Sequence, residues 1–192
     1  ILNLFERTNI EASSSGVISD GGVRWRRYDL DHNYSRKRRV IRMQADETGA
    51  ITSEIEPIYR TWGDPAATEE QRRASRDPLS SVIAMAIDVG RSRRCEGSYP
   101  TFDGRFHYVL QLSEGDIDEY DGGGYAGEVL KCRLAYIAVS GFSQRDAGRR
   151  RIPEGQIWFA LMPDTAFAPP VRISTPLSAG GATIRLASFR RA

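Results

Sequence analysis

Apolar and polar residues alternate along most of the chain, and clusters of Gly, Asp, Asn and Ser interrupt the alternation at short intervals. That is the period of strands joined by turns. Residues 5–18 read as an extended segment that closes at a turn over 19–22. Val23 and Trp25 alternate before Arg26-Arg27, Tyr28 and Leu30 after it, and the phase shift between them predicts a β-bulge. Residues 34–45 and 51–55 follow as strands, separated by a turn over 46–49, which completes a meander.

Residues 61–76 carry no apolar period, which predicts an exposed, mobile loop. Asp77 then precedes Pro78, an N-cap with Pro at the first helical position. Leu79, Val82, Ile83, Ala86 and Ile87 follow at helical spacing and Gly90 ends the run, so a helix is predicted over about residues 78–89. Its apolar stripe needs a sheet to lie on. Strands resume at 98–102 and 105–112, flanking Asp103-Gly104, a strong two-residue hairpin signal. Residues 113–127 read as an acidic, glycine-rich loop, 129–139 as a strand, 143–151 as a basic loop and 156–162 as a strand. A last pair, 171–174 and 183–189, surrounds a turn over 178–181. About nine strands, one helix and no βαβ alternation predict one mainly-β domain over 1–192. The expected form is a curled antiparallel sheet or partly open β-barrel with one packed α-helix.

Composition narrows the function classes. A net charge of +2 over 192 residues argues against a general nucleic-acid binder. Only Lys37 and Lys131 of the 27 basic residues are lysines, a bias that mostly reflects genome composition. No run of 18 apolar residues is present, so no transmembrane helix is expected. The first residue is Ile1 rather than Met, so an N-terminal segment such as a signal peptide is expected to have been removed or left out.

Candidate chemistry concentrates in CEGSYPTFDGRFHYVLQL, residues 95–112. A thiol active site would need a base beside Cys95, yet Asp103 belongs to the turn and His107 lies well inside the second strand. The other reading pairs Cys95 with Cys132, tying the helix exit to a strand, as an oxidising compartment would permit. Two free thiols would leave the same sequence. No zinc spacing links His32, Cys95, His107 and Cys132, and the acidic 116–121 run lacks the pattern of a calcium-binding EF-hand loop, so no metal or cofactor is expected. The basic run 35–39 reads as charge that protects an exposed or edge strand, with an anion-binding patch as the alternative. Tyr99, Phe102, Phe106, Tyr108, Tyr136 and Trp158 alternate along strands and are candidates to line an apolar pocket, or else to form a plain core.

The order of these features resembles a known family. DPLSSVIAMA, CEGSYPTFDGRFHYVLQL, GGGYAG, KCRLAYIAVSGF, IWFAL, PVRIST and the closing TIRL are together similar to the bacterial "domain of unknown function 3108" family over essentially the whole chain. The resemblance implies an exported, largely β protein of the Gram-negative envelope, made with a signal peptide and located in the periplasm. It implies that Ile1 falls partway into the domain, so that the first strands are missing and a sheet edge is exposed. It matches Cys95 and Cys132 to the family's cysteine pair and carries over no catalytic residue. More loosely, the architecture is similar to periplasmic envelope-integrity proteins built as β-spirals.

The expected function is therefore non-enzymatic: binding a lipid or other apolar ligand, or another envelope protein, in support of envelope integrity. The alternative is an envelope hydrolase using His107 with a carboxylate such as Asp103 or Asp121. A third reading is a structural subunit whose edge strand pairs with another chain.

Overall fold

The structure, a computed structural model, describes residues 9–19, 22–34, 37–177 and 180–188. The expected strand start at Phe5, Asp20 and Gly21 of the turn at 19–22, Ser178 and Ala179 of the turn at 178–181, Ser35 and Arg36 of the basic run, and the strand end at Phe189 lie outside them. Strand patterning produces two antiparallel sheets, each in sequence order. The first is β1 (Asn9–Ser19), β2 (Gly22–Tyr34), β3 (Lys37–Ala45) and β4 (Ile51–Glu56). The second is β5 (Gly97–Phe102), β6 (His107–Gly122), β7 (Tyr125–Ser140), β8 (Gly155–Ala160), β9 (Pro170–Leu177) and β10 (Gly180–Arg185). Neither sheet closes or curls strongly, which corrects the expected single curled sheet or partly open barrel. The reason lies between β4 and β5. That strandless stretch carries the helices, so the two meanders cannot continue into each other and pack as separate sheets instead.

The bulge falls where the phase shift placed it. Ser15 pairs with Arg27 and Gly16 with Trp25, leaving Arg26 as the extra residue. Trp25, Tyr28, Ile41 and Met43 thereby share the inner face of the first sheet and form a core with Phe102 of β5. The turn after β5 presses into that core. A side chain on Gly104, at φ +101°, would lie 2.9 Å from Ile41 Cγ2, so the position requires glycine.

The major helix, which we number α2 (Pro78–Ser92), packs on the second sheet. Met85 and Val89 sit with Tyr99, Leu112, Leu130, Ile157 and Phe159 in the largest core cluster. Burial of each such side chain stabilises by about 1.5–3 kcal/mol. Small residues let the helix approach closely. The Ser81 and Thr101 hydroxyls are 2.8 Å apart, and a Cβ on Gly90 would collide with the backbone of Ala166 and Phe167.

Two local expectations change and a third is refined. Within 61–76, the predicted loop contains a short helix, α1 (Glu69–Arg73), closed by a capping box between Thr68 and Gln71. The T-x-x-Q spacing is its sequence signal. Trp25 Nε1 donates to Ser75 O, and Arg76 bridges to Thr101, so the segment is joined to both sheets. Residues 113–127 are a two-stranded arm, with β6 and β7 paired out to Gly122–Tyr125. Acidic side chains there project to solvent, and cross-strand backbone bonds hold the arm despite its unfavourable strand composition. The described part of the basic run, Lys37–Arg39, opens β3, an interior strand, but lies beyond its pairing with β4, which begins at Val40. Its outer side therefore carries no strand partner among the described residues. Arg38 is paired with Asp31, and Arg39 lies over the Tyr59 ring at 3.9 Å.

Candidate functional site

The hairpin that drew attention in the sequence is structural. Cys95 and Cys132 form a disulfide with a Cα–Cα distance of 5.4 Å. It crosses the β6 bulge: Gly115 pairs with Cys132, and any side chain on Gly115 would collide with Cys95 Sγ. The bond is consistent with an oxidising compartment.

Asp103 Oδ1 accepts from Arg105 N at 3.0 Å and Phe106 N at 2.8 Å, closing a four-residue turn between β5 and β6 rather than a two-residue one. Burial pushes its carboxyl upward, against the pull of those two backbone bonds. His107 is 6% exposed, lies opposite Phe102 and Ser140, and neither ring nitrogen has a hydrogen-bond partner among the described residues. Burial pushes its pKa down. Asp121 sits near the far end of β6, roughly 45 Å away along the strand. The structure thus brings neither carboxylate into hydrogen-bond reach of the imidazole. Among the described residues no three His, Cys, Asp or Glu side chains converge on a metal position.

The six aromatic candidates are spread over four packing clusters. Tyr99 joins the core under α2, and Phe102 joins the first sheet's core. Trp158 packs with Val129, Ala160 and Val171 on the other face of the second sheet. Phe106 and Tyr108 form a fourth cluster, where Tyr108 stacks on Tyr136 at 4.4 Å. Phe102 also borders a cleft of about 440 Å³ beside Trp62, Arg72 and Arg105.

The apolar opening lies elsewhere, between β1 and α2. Asp77, fully buried, caps the helix by accepting from Leu79 N at 3.0 Å and Ser80 N at 3.1 Å. Its other oxygen accepts from the Ser14 hydroxyl at 2.9 Å, which pins the middle of β1 to the start of the helix. Beyond this anchor the strand and helix part, leaving a groove of about 370 Å³. Val17, Ile18 and Val23 line its sheet side, and Leu79, Val82 and Ile83 line its helix side. Val17 is 47% exposed and Ile18 60%. Ser14, Ser15 and Ser80 make the anchored end polar.

The helix stripe predicted to lie on a sheet is therefore divided. Ala86 and Ile87 are buried, but Leu79 is exposed and Val82 and Ile83 only half-buried, all three turned to the groove. The smaller residues Ser80, Ser81 and Ala84 take the buried side instead. The groove was not legible in the chain because β1 and α2 are about sixty residues apart. The one available hint was a helix with more apolar positions than a single contact face uses. β1 pairs only with β2, so its other edge is open among the described residues. Compared with protein-family models, curated proteins and solved structures, the chain matches none.

Proposed function

We propose that this chain is an exported, non-enzymatic binding protein of the Gram-negative periplasm that captures an extended apolar segment of a partner envelope protein and so supports envelope integrity. The segment adds as a strand to the free edge of β1. The observation that carries this reading is the coincidence of an open, eleven-residue edge strand with the outward side chains of Leu79, Val82 and Ile83. A strand added at β1 extends the first sheet over the groove, so its inward side chains cover those residues while its backbone satisfies the edge. Such recognition needs no titrating group, in keeping with a groove whose polar groups are three serines. The Cys95–Cys132 bridge supports an oxidising compartment, and the resemblance described above supports the periplasm and the family.

Hydrogen–deuterium exchange with an alternating valine–threonine peptide tests it. The peptide should slow exchange along residues 9–19, and Ile18→Lys with Leu79→Lys should abolish that protection. An absence of protection would end the strand reading. Lauric acid binding that those substitutions block, with no peptide protection, would replace the partner strand by a small apolar ligand.

A further inference from the structure

A second opening, sharing no residue with the groove, is built from two loops held rigidly together. Asp64 N donates to Phe142 O at 3.0 Å and Gly141 N to Pro65 O at 2.8 Å. Where they cross, a side chain on Gly63, at φ +96°, would collide with the Gly141 backbone. Below the crossing Phe142 stacks on Phe106 at 4.6 Å. The second loop is anchored by a largely buried ion pair, Arg105–Asp146, at 2.7 Å. Asp146 also accepts from the Ser143 backbone N–H and hydroxyl. All three contacts reach the same oxygen, Asp146 Oδ2.

Above this frame lies a cleft of about 860 Å³ whose charged lining is Arg60, Arg145, Arg150 and Arg151 against one carboxylate, Asp64. Thr61 and Gln144 add neutral donors, while the Ser143 hydroxyl is committed to Asp146. Among the described residues none of the four arginines makes a salt bridge. Arg150 donates only to Phe142 O, and its guanidinium lies 5.7 Å over the Phe142 ring. Arg149 lies beside the cleft, 5.3 Å over Phe106. These aromatic platforms hold the side chains in place before any ligand arrives.

We infer that this cleft binds a multiply charged phosphate group, a phosphomonoester or diphosphate, carried either by a free metabolite or by a lipid headgroup. One carboxylate would leave most of the four cations unanswered, whereas a phosphate dianion presents oxygens that planar guanidinium forks meet in pairs. Hydroxyl and amide donors on the same wall suit its remaining oxygens.

Calorimetry of the full chain with inorganic pyrophosphate, and flotation with phosphatidic-acid-containing or purely phosphatidylcholine vesicles, distinguish the two sources. Pyrophosphate should bind at a single site, more weakly as salt rises. Arg60→Gln with Arg145→Gln and Arg151→Gln should weaken binding roughly tenfold or more. Those arginines are exposed, and an unchanged melting temperature checks that the variant is folded. Independently of any variant, pyrophosphate should protect these three arginines from phenylglyoxal. Flotation with the anionic vesicles only, lost in the variant, assigns a lipid headgroup, and pyrophosphate binding without flotation assigns a free phosphate. No binding of either probe, or binding that the variant leaves unchanged, overturns the inference.

Discussion

Gly115→Ala probes how the disulfide and the β6 bulge depend on each other. The added Cβ would overlap Cys95 Sγ, lie 3.1 Å from Cys95 Cβ and 3.3 Å from Leu130 Cδ1. A free thiol could swing away, but the sulfur is bonded to Cys132, whose strand is hydrogen-bonded to the same bulge. Overpacking of this kind costs about 1–3 kcal/mol, and about 2 kcal/mol is expected. In a Cys95→Ala, Cys132→Ala background the sulfur overlap is gone and only the two tight carbon contacts remain. The same glycine substitution should then cost less than about 1 kcal/mol, giving a coupling of at least about 1 kcal/mol in the double-mutant cycle. Removing the bond should itself cost about 4 kcal/mol, because it closes a loop with a sequence separation of 37. Urea unfolding at pH 7 without reductant measures all four proteins, compared at constant slope. An equal cost of Gly115→Ala with and without the sulfurs would refute the steric account.

Two further substitutions test other contacts. Asp77→Ala removes the α2 cap and the Ser14 anchor together. It should cost about 2–3 kcal/mol in thermal or urea unfolding and speed exchange in β1, while Asp77→Asn retains most of the stability; a loss under about 0.5 kcal/mol for Ala would show the anchor to be idle. His107 is held below its ordinary pKa by burial, so the unfolded chain takes up a proton near pH 6.5 that the folded chain excludes. Its contribution to stability is therefore complete above about pH 6.5 and declines as the pH falls below it. His107→Phe should flatten the decline between about pH 7 and pH 5 and leave neutral stability equal or higher, since it also removes two unpartnered ring nitrogens. Parallel pH profiles for the two proteins would contradict this, and part of the wild-type slope should survive through His32, which burial also lowers.

Local rules account for the elements. Period-two alternation marks the strands of both meanders except the arm of β6 and β7 over residues 113–127, a one-residue phase shift marks Arg26 as the bulge, and Asp77-Pro78 marks the start of α2, because each signal lies within a few residues of what it determines. The capping spacing at Thr68–Gln71 was equally local and marks α1. The cysteine pair pointed to a bridge between the helix exit and a strand, and the bridge is there. Three-dimensional structure decided what lies far apart in sequence. Whether β4 continues into β5 depends on how the intervening helices pack, so alternation was compatible with a barrel and with two open sheets. Which face of α2 is buried depends on how closely Ser80, Ser81, Ala84 and Gly90 let it approach its neighbours, and that choice turns Leu79, Val82 and Ile83 to the groove. The basic cleft likewise needs Arg60 and Arg145 on loops that meet only through Gly63 and Gly141. Period and caps report each segment's own environment, whereas a binding surface is made where segments distant in the chain are packed together.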